Sequence, residues 1–239
     1  TTVFEPGHLL HSVGCFDHES GTVSRPTVLL DKWCRDAHDN PVIAIDGQGH
    51  ILIFSPSHGP WTTPSFVHRS SKPWDISTFE LVRTDLFAYP QLHPLEDGSL
   101  AMLHTLYTNA GRTACFRQLG SQCEPGTLRV LAHFGQGHYQ VSDARGTIIA
   151  TAFNYHPMEG GLEARTNLYY AQSADGGATW SGPSEEALDL PLRQPQNAAL
   201  LREYASDGWL VYLKDLKLDA AGNPAILFVR SRGHRPGPK

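Results

Sequence analysis

Short apolar runs, each following an Asp/Gly turn, recur along the chain. Ile51-Leu52-Ile53-Phe54 follows Asp46-Gly47, Leu100-Ala101-Met102-Leu103 follows Glu96-Asp97-Gly98, Ile148-Ile149-Ala150 follows Asp143-Ala144-Arg145-Gly146, and Leu210-Val211-Tyr212-Leu213 follows Ser206-Asp207-Gly208. A second run stands before each turn, opening at Asn40-Pro41-Val42-Ile43, Tyr89-Pro90-Gln91-Leu92, His138-Tyr139-Gln140-Val141 and Gln194-Pro195-Gln196-Asn197. Asp side chains accept bonds from turn backbone and Gly supplies positive φ, so each copy reads as strand, turn, strand. The copies start roughly 50 residues apart, the spacing of propeller blades and similar arrays. Alternating segments at 65–69 and 79–83 extend the first unit, 112–118 and 128–132 the second, and 166–172 the third, giving about four strands per unit. Residues 1–37 form an opening segment, with a turn at Asp17-His18-Glu19-Ser20-Gly21 in a weak hairpin and a strand at 26–30. A last turn, Asp219 to Pro224, precedes a strand at 225–229.

Composition supports this pattern. With 22 Gly, 17 Pro and no long window of helical period, the expected fold class is all-β, a propeller of four-stranded blades. The 239 residues are expected to form a single partial propeller domain, 1–239, holding about four blades. The loop-like end from Gly233 to Lys239 reads as truncation at the C-terminus, and the start at Thr1, with neither initiator Met nor signal peptide, as a processed leader or a fragment. A net charge of −5 with scattered basic residues argues against a nucleic-acid partner. No apolar run approaches the ~18 residues of a membrane span, and the expected location is extracytoplasmic, secreted or periplasmic. The sequence requires no cofactor. Cys15, Cys34, Cys115 and Cys123 lack CxxC spacing and read first as buried or incidental thiols. Cys115 and Cys123, flanking Gly120, could instead close a disulfide loop or join His133 and His138 at a structural metal site.

In a propeller the first strand of each blade lines the axis and the second returns beside it, so the start of one and the end of the other share a rim. The starts carry His38, Asn40, Tyr89, His138, Tyr139, Arg193 and Gln196; the ends carry His58, His104, Asn154, His156, Lys214 and Asp215. This recurrence of titratable and amide groups predicts a polar site. Trp61, Tyr107, Tyr139 and Tyr155 are of the type that stacks on sugar rings.

Ser173-x-Asp175-x-Gly177-x-Thr179-Trp180 matches the Asp-box of bacterial neuraminidases, a structural hairpin signature. Together with His38-Asp39-Asn40-Pro41, Ser57-His58-Gly59, Tyr89-Pro90-Gln91, Gly137-His138-Tyr139 and Arg165-Thr166-Asn167-Leu168-Tyr169-Tyr170, it makes nearly the whole chain resemble the BNR-repeat family that includes the ulvan lyases and related polysaccharide-cleaving propellers. The resemblance implies a ring of about seven blades, an acidic polysaccharide or oligosaccharide as partner, and cleavage of a uronate-containing polysaccharide by β-elimination. In the ulvan lyases two histidines about 20 residues apart and a later tyrosine carry this chemistry; His38, His58 and Tyr89 match them. Asn40, His138, Tyr139, Asn154, His156 and Arg165 are the expected substrate-binding residues. One position departs from the family: sixteen residues after Tyr89, where an Arg is expected, stands Thr105. Arg165 or Arg193 is a candidate substitute. A glycoside hydrolase on the same scaffold and a non-catalytic glycan-binding propeller are the alternative functions. A sialidase fits poorly, because the arginines do not fall at equivalent repeat positions.

Overall fold

The computed structural model describes residues 2–5, 8–34, 36–59, 64–109 and 111–235. Trp61 and residues 236–239 lie outside the described residues. The chain divides into two compact units, Thr1–Pro94 and Leu95–Lys239.

The first unit contains β1 (Thr2–Glu5), β2 (His8–Val13), β3 (Phe16–Asp17), β4 (Thr22–Val23), β5 (Thr27–Asp31), β6 (Val42–Ile45), β7 (Ile51–Ser55), β8 (Ser65–Ser70), β9 (Phe79–Asp85) and β10 (Ala88–Pro94). β1, β2 and β5 form an antiparallel sheet, β3 and β4 a small ribbon, and β6 to β9 a four-stranded antiparallel meander. The opening segment thus holds the expected turn and strand and, in addition, a three-stranded sheet. All five residues of β7 are buried, as expected of an uninterrupted apolar run covered on both faces. Between β6 and β7, Asp46 Oδ1 accepts from the N–H groups of Gln48 and His50, each at 2.9 Å, which is the local chemistry that makes the repeat's turn.

The second unit contains β11 (Leu100–Thr108), β12 (Gly111–Leu119), β13 (Arg129–Ala132), β14 (Gln140–Arg145), β15 (Ile148–Tyr155), a 3-10 turn at Gly161–Ala164, β16 (Thr166–Ser173), β17 (Leu200–Arg202), β18 (Leu210–Leu218) and β19 (Pro224–Ser231). β11, β12 and β13 pair in that order, β14 to β17 form a four-stranded antiparallel sheet, and β18 pairs with β19. The sheet of β14 to β17 is buried on both faces. Ile149, Phe153, Tyr169 and Ala171 point into one core with Leu103, Phe116 and Trp180. Their neighbours Ala150, Ala152, Leu168 and Tyr170 point into another with Val211, Leu216 and Leu218. The two-residue period of a strand produces this division directly. The chain is therefore all-β with propeller-like successive sheets.

The Asp-box match forms a tight hairpin. Asp175 Oδ1 accepts from the Thr179 N–H at 2.9 Å, Oδ2 accepts from the Thr179 hydroxyl at 2.7 Å, and Ser173 Oγ accepts from the Gly177 N–H at 2.8 Å. Gly177 has φ 97°, and a Cβ there would lie 2.1 Å from the Phe116 ring, so both backbone and packing require glycine. Trp180, 3 % exposed, packs edge-on against Phe116. Asp175→Ala should lower stability by about 1–2 kcal/mol through loss of these turn bonds; urea unfolding that matches the parent would refute the turn's structural role.

The fourth repeat is displaced by one strand from the sequence expectation. Residues 194–197 form no strand, and β17 closes the sheet of β14 to β16. Asp207-Gly208 lies in the turn leading into β18, and Asp219 to Gly222 is the hairpin turn between β18 and β19. Asp/Gly chemistry marks both turns equally, so the local sequence did not distinguish them. Arg193 and Gln196 are consequently exposed in a loop, and Lys214 and Asp215 fall inside β18 at a bulge rather than at the end of a second strand.

Candidate active site and a second polar cluster

In the first unit the loop between β5 and β6 folds back on itself through Asp36. Its Oδ1 accepts from the His38 N–H at 2.9 Å, and the His38 ring Nδ1 lies 2.6 Å from the same oxygen. The His58 ring Nδ1 lies 2.6 Å from the other oxygen, Oδ2. Burial works against charge on Asp36, but the bonds from the His38 N–H and from both imidazoles hold its carboxyl at about 2. An ionised carboxylate can only accept, so both imidazoles donate through Nδ1, and in the neutral form the lone pair is then at Nε2. The two rings stack at 4.4 Å between centroids, and the Tyr89 ring stands edge-on to both, 5.6 Å from His58 and 6.4 Å from His38. Tyr89 has φ 49°, an uncommon backbone for a bulky residue, at the position where its ring meets the imidazoles. The three residues singled out by sequence therefore come together. Asn40 is exposed two residues after His38.

A buried ion pair underlies this group. Lys32 and Asp39 side chains are fully enclosed at 2.8 Å, and Lys32 Nζ also donates to Ser57 Oγ and to the Pro56 carbonyl. Asp39 Oδ1 accepts from the His58 N–H at 2.6 Å, tying the histidine's backbone to the pair. Removing one partner strands a buried charge, so Asp39→Ala should destabilise the first unit by about 3–5 kcal/mol. Denaturant unfolding checks this; an unchanged midpoint would mean that the pair is solvated.

The second unit holds a separate cluster. Arg112, 7 % exposed, donates to His156 Nδ1. The guanidiniums of Arg112 and Arg165 lie 5.1 Å and 4.8 Å from the Tyr139 ring centre, and Arg165 is also 4.8 Å from the Tyr212 ring. A cleft of about 270 Å³ opens between Tyr139, Asn154, Arg165, Tyr212 and Lys214. Asn154 is buried, accepting from the Tyr139 N–H at 3.2 Å and donating to the Val211 carbonyl at 2.9 Å. His138 is enclosed, its Nδ1 3.0 Å from the Asn154 carbonyl and its Nε2 accepting from the Phe134 N–H at 3.3 Å. Burial pushes His138 down to about 3. Burial, then the charges of Arg112 and Arg165, do the same to His156. Of the expected substrate-binding residues here, Tyr139, Asn154 and Arg165 line the cleft, Asn154 while also bonding the backbone, whereas His138 serves only the backbone around it. Thr105 and His104 are buried in β11.

Asp36, Arg112 and Tyr212 are the members of these groups that the sequence reading missed. Asp36 stood two residues before His38, an Asx-turn signal; Arg112 and Tyr212 carried no comparable mark. All four cysteines are free thiols, Cys15 exposed, Cys34 half-buried, and Cys115 and Cys123 buried. Burial pushes the Cys115 thiol up to about 12, which opposes both ligation and oxidation. Among the described residues the group able to hold a metal is Asp36, His38 and His58, whose ligand atoms lie within 4.8 Å of one another; Cys115, Cys123, His133 and His138 form no such group.

The model of the BNR repeat-containing family matches residues 16–236. The chain belongs to this BNR repeat-containing family. A solved PL25 polysaccharide lyase, an ulvan lyase, superposes on the BNR-repeat chain with a TM-score of 0.77 at 18% identity, covering 95% of this chain and 63% of that one. The complex of a PL25 ulvan lyase with -[GlcA(1-4)Rha3S]- gives 0.76 at 16% identity over the same shares. The polysaccharide lyase Uly1 gives 0.64 at 11% identity, covering 92% of this chain and 64% of that one. These likenesses show a shared fold. The BNR-repeat chain spans less than two thirds of the length of these lyases. Comparison with curated protein sequences finds no significant match. No helix among the described residues is long and apolar enough to cross a membrane.

Proposed function

We propose that this chain carries the acid–base centre of a polysaccharide lyase that cleaves a uronate-containing polysaccharide by β-elimination. The observation that carries this reading is the Asp36 carboxylate shared by two imidazoles beside Tyr89. Because both Nδ1 atoms donate to Asp36, it is Nε2 of the neutral imidazole that acts as the base. In the proposed reaction one Nε2, that of His58, takes the proton α to the uronate carboxylate. The electron pair left behind forms the carbon–carbon double bond as the bond to the glycosidic oxygen breaks. The Tyr89 hydroxyl gives its proton to that leaving oxygen. His38 stacks on His58 and shares its carboxylate, which fixes the plane of the base.

Elimination also needs a polar group to hold the enolate. With Thr105 at the position of the family's Arg, the exposed amide of Asn40 is the candidate in the first unit. In the second unit the Arg112, Tyr139, Arg165 and Tyr212 cluster, with His138, Asn154 and His156 behind it, suits an anionic sugar: the cations attract charge and the rings offer stacking faces. A solved PL25 ulvan lyase bound to -[GlcA(1-4)Rha3S]- supports a uronate-containing substrate. We further propose that the successive sheets are blades of a propeller of about seven, acting outside the cytoplasm.

A second reading, glycan binding without cleavage, is favoured by Thr105. A hydrolase using a carboxylate pair is less supported, since Asp46, Asp97, Asp175 and Asp219 all cap turns. Incubation with a panel of uronate-rich polysaccharides separates these readings. Ultraviolet-absorbing unsaturated uronate is expected; new saturated reducing ends would make the protein a hydrolase, and glycan retention without either product a binding propeller.

A further inference from the structure

Three features of the Asp36 group go beyond acid–base work. The first is its donor set, two imidazoles and one carboxylate, a combination that borderline transition metals favour. The second is geometry: one ligand atom from each residue falls within 4.8 Å of the others. A tetrahedral ion with ligand bonds of ~2.1 Å needs its ligands about 3.4 Å apart. Each Nδ1 now sits 2.6 Å from an Asp36 oxygen, so these contacts have to open by about 0.8 Å. The third is support from behind. The His58 backbone is pinned to Asp39, which the buried Lys32 holds in turn, while the His38 backbone is pinned to Asp36 itself. Such backing fixes ligand orientation before an ion arrives.

We propose that Asp36, His38 and His58 form a binding site for a divalent transition-metal ion of the zinc type. The ion takes Nδ1 of both histidines and a carboxylate oxygen of Asp36. Each neutral imidazole shifts its proton from Nδ1 to Nε2, and water fills the remaining position. The site's single negative charge suits a cation, and the His38 side chain, 60% exposed, leaves the entrance open. A hard ion such as magnesium, which prefers an all-oxygen octahedron, fits poorly. A corollary rests on the proposed lyase chemistry: zinc here occupies Nδ1, protonates both Nε2 positions and removes the base, so the metal would act as an inhibitor.

The test uses tag-free, chelator-stripped protein. Zinc titrated by calorimetry is expected to bind one ion per chain, and cobalt(II) to develop the visible absorption of a low-coordinate nitrogen and oxygen site. Excess magnesium should displace neither. His58→Ala and the more exposed His38→Ala should each weaken zinc binding by at least about tenfold, with thermal unfolding confirming that both variants fold. Cys34→Ser and His133→Ala should leave it unchanged. Absence of stoichiometric zinc binding, or parental affinity in both folded histidine variants, would overturn the proposal. Inactivity on every polysaccharide would count against the lyase reading alone, because metal binding is read without turnover.

Discussion

His58→Ala should reduce formation of unsaturated uronate by roughly 10²–10⁴-fold, the usual contribution of a positioned acid or base. The loss should fall on kcat more than on KM, since the imidazole acts in the transition state. Tyr89→Phe should cause a loss of the same order, because it removes the proposed proton donor while keeping the ring that packs on the imidazoles. Asp36→Asn makes a sharper test of the arrangement. The amide offers an acceptor to one imidazole and an N–H to the other, so one ring must turn or change tautomer. Activity should fall, while thermal unfolding should move far less than in Asp39→Ala, since Asp36 lies near the surface and Asp39 is fully enclosed. If His58→Ala retained full elimination activity, the base would have to lie elsewhere and the proposed centre would be wrong.

Mild acid should destabilise the fold well above the pH at which its carboxylates titrate. His138 and His156 in the second unit are held to about 3, and His11 in the first unit to about 4. Burial is the leading cause at all three; the charge of Lys32 adds to it at His11, and those of Arg112 and Arg165 at His156. An unfolded histidine binds its proton near 6.5. Between that value and the folded one, the unfolded chain therefore holds protons that the folded chain lacks, and stability falls as pH falls. At about 1.36 kcal/mol per unit, each histidine removes about 2 kcal/mol by pH 5. Asp36 and Asp175 sit at about 2, below this window, so they do not account for the loss. Urea midpoints at pH 8 and pH 5 should differ accordingly, and His156→Gln should flatten the slope by about one proton. Equal midpoints at the two pH values would show that these rings are hydrated or charged in the folded protein.

The local parts of this architecture were readable in the sequence. Strand, Asp/Gly turn and strand depend on contacts within a few residues, which is why β6 with β7, and β14 with β15, appear where the pattern placed them. The fourth repeat failed for the same reason, since two Asp/Gly turns stood within fifteen residues and only packing selected between them. β18 takes its place because Val211, Leu216 and Leu218 complete the core under Ala150, Ala152 and Tyr170.

The candidate site divides in the same way. Family-like spacing marked His38, His58 and Tyr89, and the short Asp36–His38 separation is a local turn. The joining of His58 to Asp36, 22 residues apart, and of Arg112 to His156, 44 residues apart, was decided by tertiary structure. So was the fate of the other histidines. A ring's burial is set by which strands cover it, and one chain segment carries no record of that. Sequence alone determined that this is an all-β repeat bearing a histidine pair. The folded chain alone determined which carboxylate the pair shares, and which histidines it seals inside.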